Sequence, residues 1–192
     1  MFSFTLKQAY KDIPAGVKSF SKKALLLSFL WMVVYNYVLL PSRLPDRWLT
    51  NVTANATAFV LGKCYSQNFS LQPATTVNSL GENVQGDKIL LDKTSVIFIA
   101  DPCNALKLFV LYIGFILCIP AGIKRRIGFA AGGVIAIFIL NIIRCSALVW
   151  LWFTRPSLID FAHHYVFTLI VYSCIFALWV WFCKKQTASE KI

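Results

Sequence analysis

Three kinds of side chain in this 192-residue sequence could do chemistry together: a cysteine, an arginine and a pair of adjacent histidines. The cysteine is Cys103, in Ala100-Asp101-Pro102-Cys103-Asn104-Ala105. It stands at the head of an apolar run, where a helix N-terminus can stabilise a thiolate. The arginine is Arg144, inside a long apolar run in Asn141-Ile142-Ile143-Arg144. The histidines are His163 and His164, the only two in the chain, at the head of the last apolar run. A thiol that attacks a carbonyl, an imidazole that moves protons near neutral pH and a guanidinium that holds an oxyanion make up a cysteine acyl-transfer site. Each residue also has a plain reading. Arg144 can snorkel to the headgroups, the histidines can be interfacial, and Cys103 can pair with Cys64 in an oxidising compartment. A reactive Cys103 would label well below pH 8 and faster than Cys64.

What would position these groups is a membrane bundle. The chain is 58% hydrophobic and 14% charged, with a mean hydropathy of +0.65. Soluble domains carry roughly 25% charged residues. The net charge of +11 would suggest nucleic acid in a soluble protein. Here the basic residues flank apolar runs, so no nucleic-acid partner is inferred; the partner is the lipid bilayer. Four runs are candidate spans: Ala24–Leu40, Ala105–Ile119, Ile127–Phe153 and Tyr165–Phe182. Eleven of the 19 Lys and Arg fall before the first, between the second and third, or after the fourth. The positive-inside rule makes those segments and both termini cytoplasmic. Cys103, Arg144 and the two histidines then share the outer membrane face. Asn141 lies on the same helical face as Arg144, and His164 shares a face with Thr168 and Tyr172.

The expected fold is therefore an all-α integral membrane bundle of about four helices with a small outer-face cap. Residues 1–23 form a basic cytoplasmic segment, 24–40 the first transmembrane helix and 41–101 the cap. Residues 102–183 form a three-helix membrane core that carries the site, and 184–192 a cytoplasmic tail. Within the cap, Thr94–Ile99 reads as a strand and Asn83–Lys88, with Gly86-Asp87, as the turn before it. The cap as a whole reads as a hairpin with a short helix.

The ordered trio resembles the exosortase/archaeosortase family, multi-spanning membrane cysteine transpeptidases. The stretches that carry the resemblance are Cys103-Asn104-Ala105-Leu106, Asn141-Ile142-Ile143-Arg144, and His164 with Thr168 and Tyr172 four and eight residues on. Ala105 and Thr168 stand where the family usually has glycine, and the chain looks like a short, Bacteroidetes-type member. The resemblance implies Cys103 as nucleophile, Arg144 as oxyanion stabiliser and His164 as general acid/base, with His163 as the alternative. Asn141 and Asn104 would orient the substrate or the site. It also implies an exported protein substrate with a C-terminal transmembrane sorting signal, cleaved near the periplasmic face of a bacterial inner membrane. A surface glycan or lipid would be the acceptor, and no metal or organic cofactor is required. The competing function class is a non-catalytic membrane assembly protein.

Overall fold

The structure, a computed structural model, describes residues 14–77 and 81–189. Lys7, Lys11 and Lys191 of the basic segments lie outside the described residues. The chain opens with α1 (Ala15–Val34), which continues through a π turn at Tyr35–Leu39 and a last turn at Leu40–Ser42. Arg43, in the left-handed region with φ 50°, breaks the helix and starts α2 (Leu44–Tyr65). Pro45 fits there because a proline in the first helical turn gives up an N–H that has no helical partner. Three antiparallel strands follow, β1 (Phe69–Val77), β2 (Asn83–Leu91) and β3 (Thr94–Ala100), side by side in that order. A turn at Asp101–Cys103 leads to α3 (Leu106–Cys118), and α4 (Ile123–Thr154) runs back. Short turns over Pro156–Phe161 and a π turn at Ala162–Val166 enter α5 (Phe167–Ser189).

The protein is mostly helical, and three of its helical stretches are long and apolar enough to cross a bilayer: Ala15–Ser42, Ile123–Thr154 and Pro156–Lys184. Four spans were expected; by length and composition these three qualify among the described residues. The remaining apolar helix, α3, has 13 residues, about 20 Å of helix against a hydrocarbon core of about 30 Å. The proline that closes its apolar run, Pro120, keeps it short.

The all-α expectation is corrected by the sheet, and the hairpin with a short helix is in fact three strands with a 22-residue helix. The strand foreseen at Thr94–Ile99 is present as β3. The turn foreseen at Asn83–Lys88 is instead the body of β2, which pairs along its whole length with β1. Gly86 is there for space, not for turning. A Cβ at that position would collide with the backbone of Ile99 and Ala100 on β3. The true turn is Asp92-Lys93, both at positive φ (47° and 70°), the two-residue form whose twist suits a hairpin.

Two apolar cores result. One joins α2, the sheet and the far half of α4 through Ala54, Leu61, Ile89, Val96, Ile99, Cys145 and Val149. The other joins α3, α4 and α5 through Ala105, Tyr112, Ile116, Ile137, Val171, Ile175 and Phe182. At its heart α3 and α4 approach closely: any side chain at Gly133 would strike the Tyr112 ring, whose hydroxyl donates to the Phe129 carbonyl at 3.0 Å. Helix α4 passes through both cores, and Asn141 and Arg144 lie on it between Ile137 of one and Cys145 of the other.

Candidate active site

The turn that carries Cys103 sits where the cores meet, because β3 ends in one core and α3 begins in the other. Asp101 and Asn104, on either side of Cys103, are tied to α2 and to Arg43 at its head. Asp101 receives Nε and Nη2 of Arg43 on Oδ2 at 2.9 and 2.6 Å, and the Thr50 hydroxyl on Oδ1 at 2.8 Å. Asn104, 1% exposed, donates its amide to Asp46 Oδ1 at 2.9 Å, to the Asp46 carbonyl at 3.2 Å and to Thr50 Oγ1 at 3.3 Å. Its own Oδ1 accepts the Leu106 N–H at 2.9 Å, capping the start of α3. Tyr35 at the end of α1 donates to the other oxygen of Asp46 at 3.1 Å.

Asn104 was expected to orient a substrate. Its side-chain polar atoms are all hydrogen-bonded inside the protein, to α2 and to the start of α3. Ala105, which follows, has φ 69° and ψ 3°. A left-handed residue costs an L-side chain about 1–2 kcal/mol, which gives the family's usual glycine at this position a physical reason.

From α4, the buried Asn141 amide donates to the Cys103 carbonyl at 3.1 Å. Arg144 lies one turn further on, so its side chain reaches the same place. Its Nη2 is 2.8 Å from His163 Nε2. A guanidinium can only donate, so His163 Nε2 is the acceptor, and the ring is neutral with its proton on Nδ1. The same guanidinium favours the Cys103 thiolate by charge and by hydrogen bonding. Arg144 Nε is buried without a partner.

Cys103 lies in a turn outside the spanning helices. Burial pushes its thiol above the ordinary value, while Arg144 first and Lys107 second pull the other way. Burial has the larger effect, so the thiol lies above its ordinary value, where the sequence reading expected a thiol reactive well below pH 8.

The structure separates the two histidines. His163, half-buried, meets Arg144. His164 is exposed, its Nδ1 3.0 Å from the Asp160 carbonyl, and Thr168 and Tyr172 line the same exposed side of α5. The preference for His164 rested on its spacing to Thr168 and Tyr172; in the structure it is His163 that meets Arg144, within the π turn at Ala162–Val166.

Cys64 and Cys103 are both free. Cys64 lies 14 residues beyond Thr50 on α2, about 21 Å along the axis. A disulfide needs Cα atoms within about 7 Å, so the pairing considered from the sequence does not form in this fold. The residues that sequence reasoning missed are Tyr35, Arg43, Asp46 and Thr50. The one available signal was scarcity: the chain has only eight Asp and Glu, so an acid just beyond a span was informative.

The family model described as Transmembrane exosortase (Exosortase_EpsH) matches residues 15–181, from the start of α1 into α5. The chain belongs to the transmembrane exosortase family. Neither curated proteins nor solved structures yield a match to it. Exosortases are multi-pass membrane proteins, generally cysteine transpeptidases that act on exported proteins.

Proposed function

We propose that this exosortase is a membrane-embedded thiol protease and transpeptidase with Cys103 as nucleophile. As the Arg144 N–H that rests on His163 Nε2 turns to the substrate carbonyl, that nitrogen is freed to take the thiol proton, and the thiolate attacks the scissile carbonyl. Arg144 holds the oxyanion of the tetrahedral intermediate through donors that include its free Nε. Collapse breaks the C–N bond and expels the downstream amine, which takes the proton back from His163. A thioester on Cys103 remains, and an acceptor nucleophile from a surface glycan or lipid resolves it. Asn141 and Asn104 act as positioning residues for the turn, not as substrate contacts. Both termini are cytoplasmic and the site faces the periplasm of a bacterial inner membrane, as the distribution of Lys and Arg supports. The substrate is an exported protein with a C-terminal transmembrane sorting signal.

The observation that carries this reading is the contact of Arg144 Nη2 with His163 Nε2 at 2.8 Å, one helical turn from Asn141, whose amide holds the Cys103 carbonyl at 3.1 Å. The test is Cys103→Ala with a co-expressed substrate bearing a C-terminal helix. Membrane insertion stays normal and processing stops. Processing that persists in the inserted variant overturns the assignment and leaves a membrane assembly role.

A further inference from the structure

Helix α1 has no buried residue, although it is one of the three long helices. It is held at its two ends. Near its start Phe20 packs edge-on against Phe115 of α3, with ring centroids 5.5 Å apart. Past its far end the Tyr35–Asp46 and Arg43–Asp101 contacts tie it to the turn of the candidate site. Between these pins α1 and α3 stand apart around a cavity of about 900 Å³. Leu27, Ser28 and Trp31 line one wall, Gly114 the other, and Trp179 of α5 the floor.

One lining residue is charged, Lys107, at the end nearest Cys103. Its position is costly. It lies in the first turn of α3, where a cation opposes the helix dipole by about 0.3–1 kcal/mol. It is exposed and has no carboxylate partner among the described residues. The nearby acids Asp101 and Asp46 are committed to Arg43, Thr50, Asn104 and Tyr35.

We propose that this cavity is a binding site for an anionic phospholipid, with an acyl chain between α1 and α3 and the headgroup phosphate on Lys107. An apolar slot ending in one unpaired cation is complementary to a hydrocarbon chain ending in a phosphate. A protein helix fits it poorly. A 20-residue span is a rigid rod about 30 Å long and 10 Å across. It would also have to thread between contacts that close the gap at both ends, whereas a flexible chain enters from the side. The site is independent of the catalytic reading and holds whether or not Cys103 is a nucleophile.

The experiment uses the full-length protein in nanodiscs of phosphatidylcholine. These carry a minor fraction of photoactivatable phosphatidylglycerol or, in parallel, the matching phosphatidylcholine analogue. In the wild type the glycerol lipid labels peptides of α1 and α3 several-fold more than the choline lipid. Lys107→Glu brings the two to parity. Gly114→Leu suppresses both labels, since a Cβ there meets nothing within 4 Å and the added side chain enters the void without disturbing the helix. Equal labelling of the wild type by the two analogues overturns the proposal. So does a photo-crosslinking residue at Leu27 that captures the helix of an exported protein in cells and no phospholipid.

Discussion

The two sides of the candidate site are built differently. The Cys103 side is a short turn fixed from both flanks, with Asp101 and Asn104 tied to α2 by six hydrogen bonds to Arg43, Asp46 and Thr50. The Arg144–His163 side rests on two apolar helices and on the polar contact between their side chains, with a π turn under the ring and a guanidinium N–H left over. In the mechanism proposed above, the attacking atom is held still while the groups that handle protons and charge keep spare bonding capacity. That division suits a reaction in which the oxyanion exists only in passing, because donors with open capacity gain a partner at that moment and not before.

The sharpest way to break the comparison is to exchange the fates of the two histidines. His163→Ala lowers processing by about 10³-fold or more, and adding Cys103→Ala costs little further, because residues that act as a unit are strongly non-additive. His164→Ala changes the rate by less than about twofold, since its contact is with a backbone carbonyl at the exposed surface. A reversed pattern in a substrate-processing assay would move the proton-transfer role to the other ring.

Next in size is Arg144→Gln, which lowers turnover by about 10²–10³-fold, the usual loss for an oxyanion donor. It has a second readout. Arg144 is the main group pulling the Cys103 thiol down against burial. Its removal raises that value further, so the pH profile of Cys103 alkylation shifts to higher pH. Alkylation of the exposed Cys64 serves as the internal control, read by mass spectrometry of the two peptides.

The clamp itself is tested by Arg43→Gln. The lost charge-assisted bonds to Asp101 destabilise the protein by about 1–3 kcal/mol, less than a fully buried pair because Arg43 is 30% exposed. Turnover falls while apparent affinity for substrate holds, and Arg43→Lys restores part of the rate. The smallest effect is Ala105→Gly, which relieves the left-handed strain and stabilises the fold by up to about 1 kcal/mol in a thermal melt.

The ionisable residues stood out in the sequence because an apolar chain has few reasons to carry them. Cys103, Arg144 and the histidine pair were legible for that reason, and so were the long helices around them. Choosing between the rings was not, because the choice depends on a backbone irregularity that leaves no mark in residue type. The strand β2 was hidden by Gly86-Asp87, a pair that usually signals a turn and here marks a close approach of two backbones. The Asp46–Asn104 and Arg43–Asp101 links join residues 58 apart. No local pattern encodes such a link, since it arises only when the break at Arg43 folds α2 against the end of β3.

The π turn has an evolutionary side. A regular α-helix turns 100° per residue, so deleting one residue between Ala162 and Val166 would restore even winding and swing the following rings around the axis by about that angle. Two histidines in succession sit on that pivot. A single codon loss could therefore hand the inward position from one imidazole to its neighbour, giving the lineage a short mutational path between two arrangements that each keep an imidazole at the arginine.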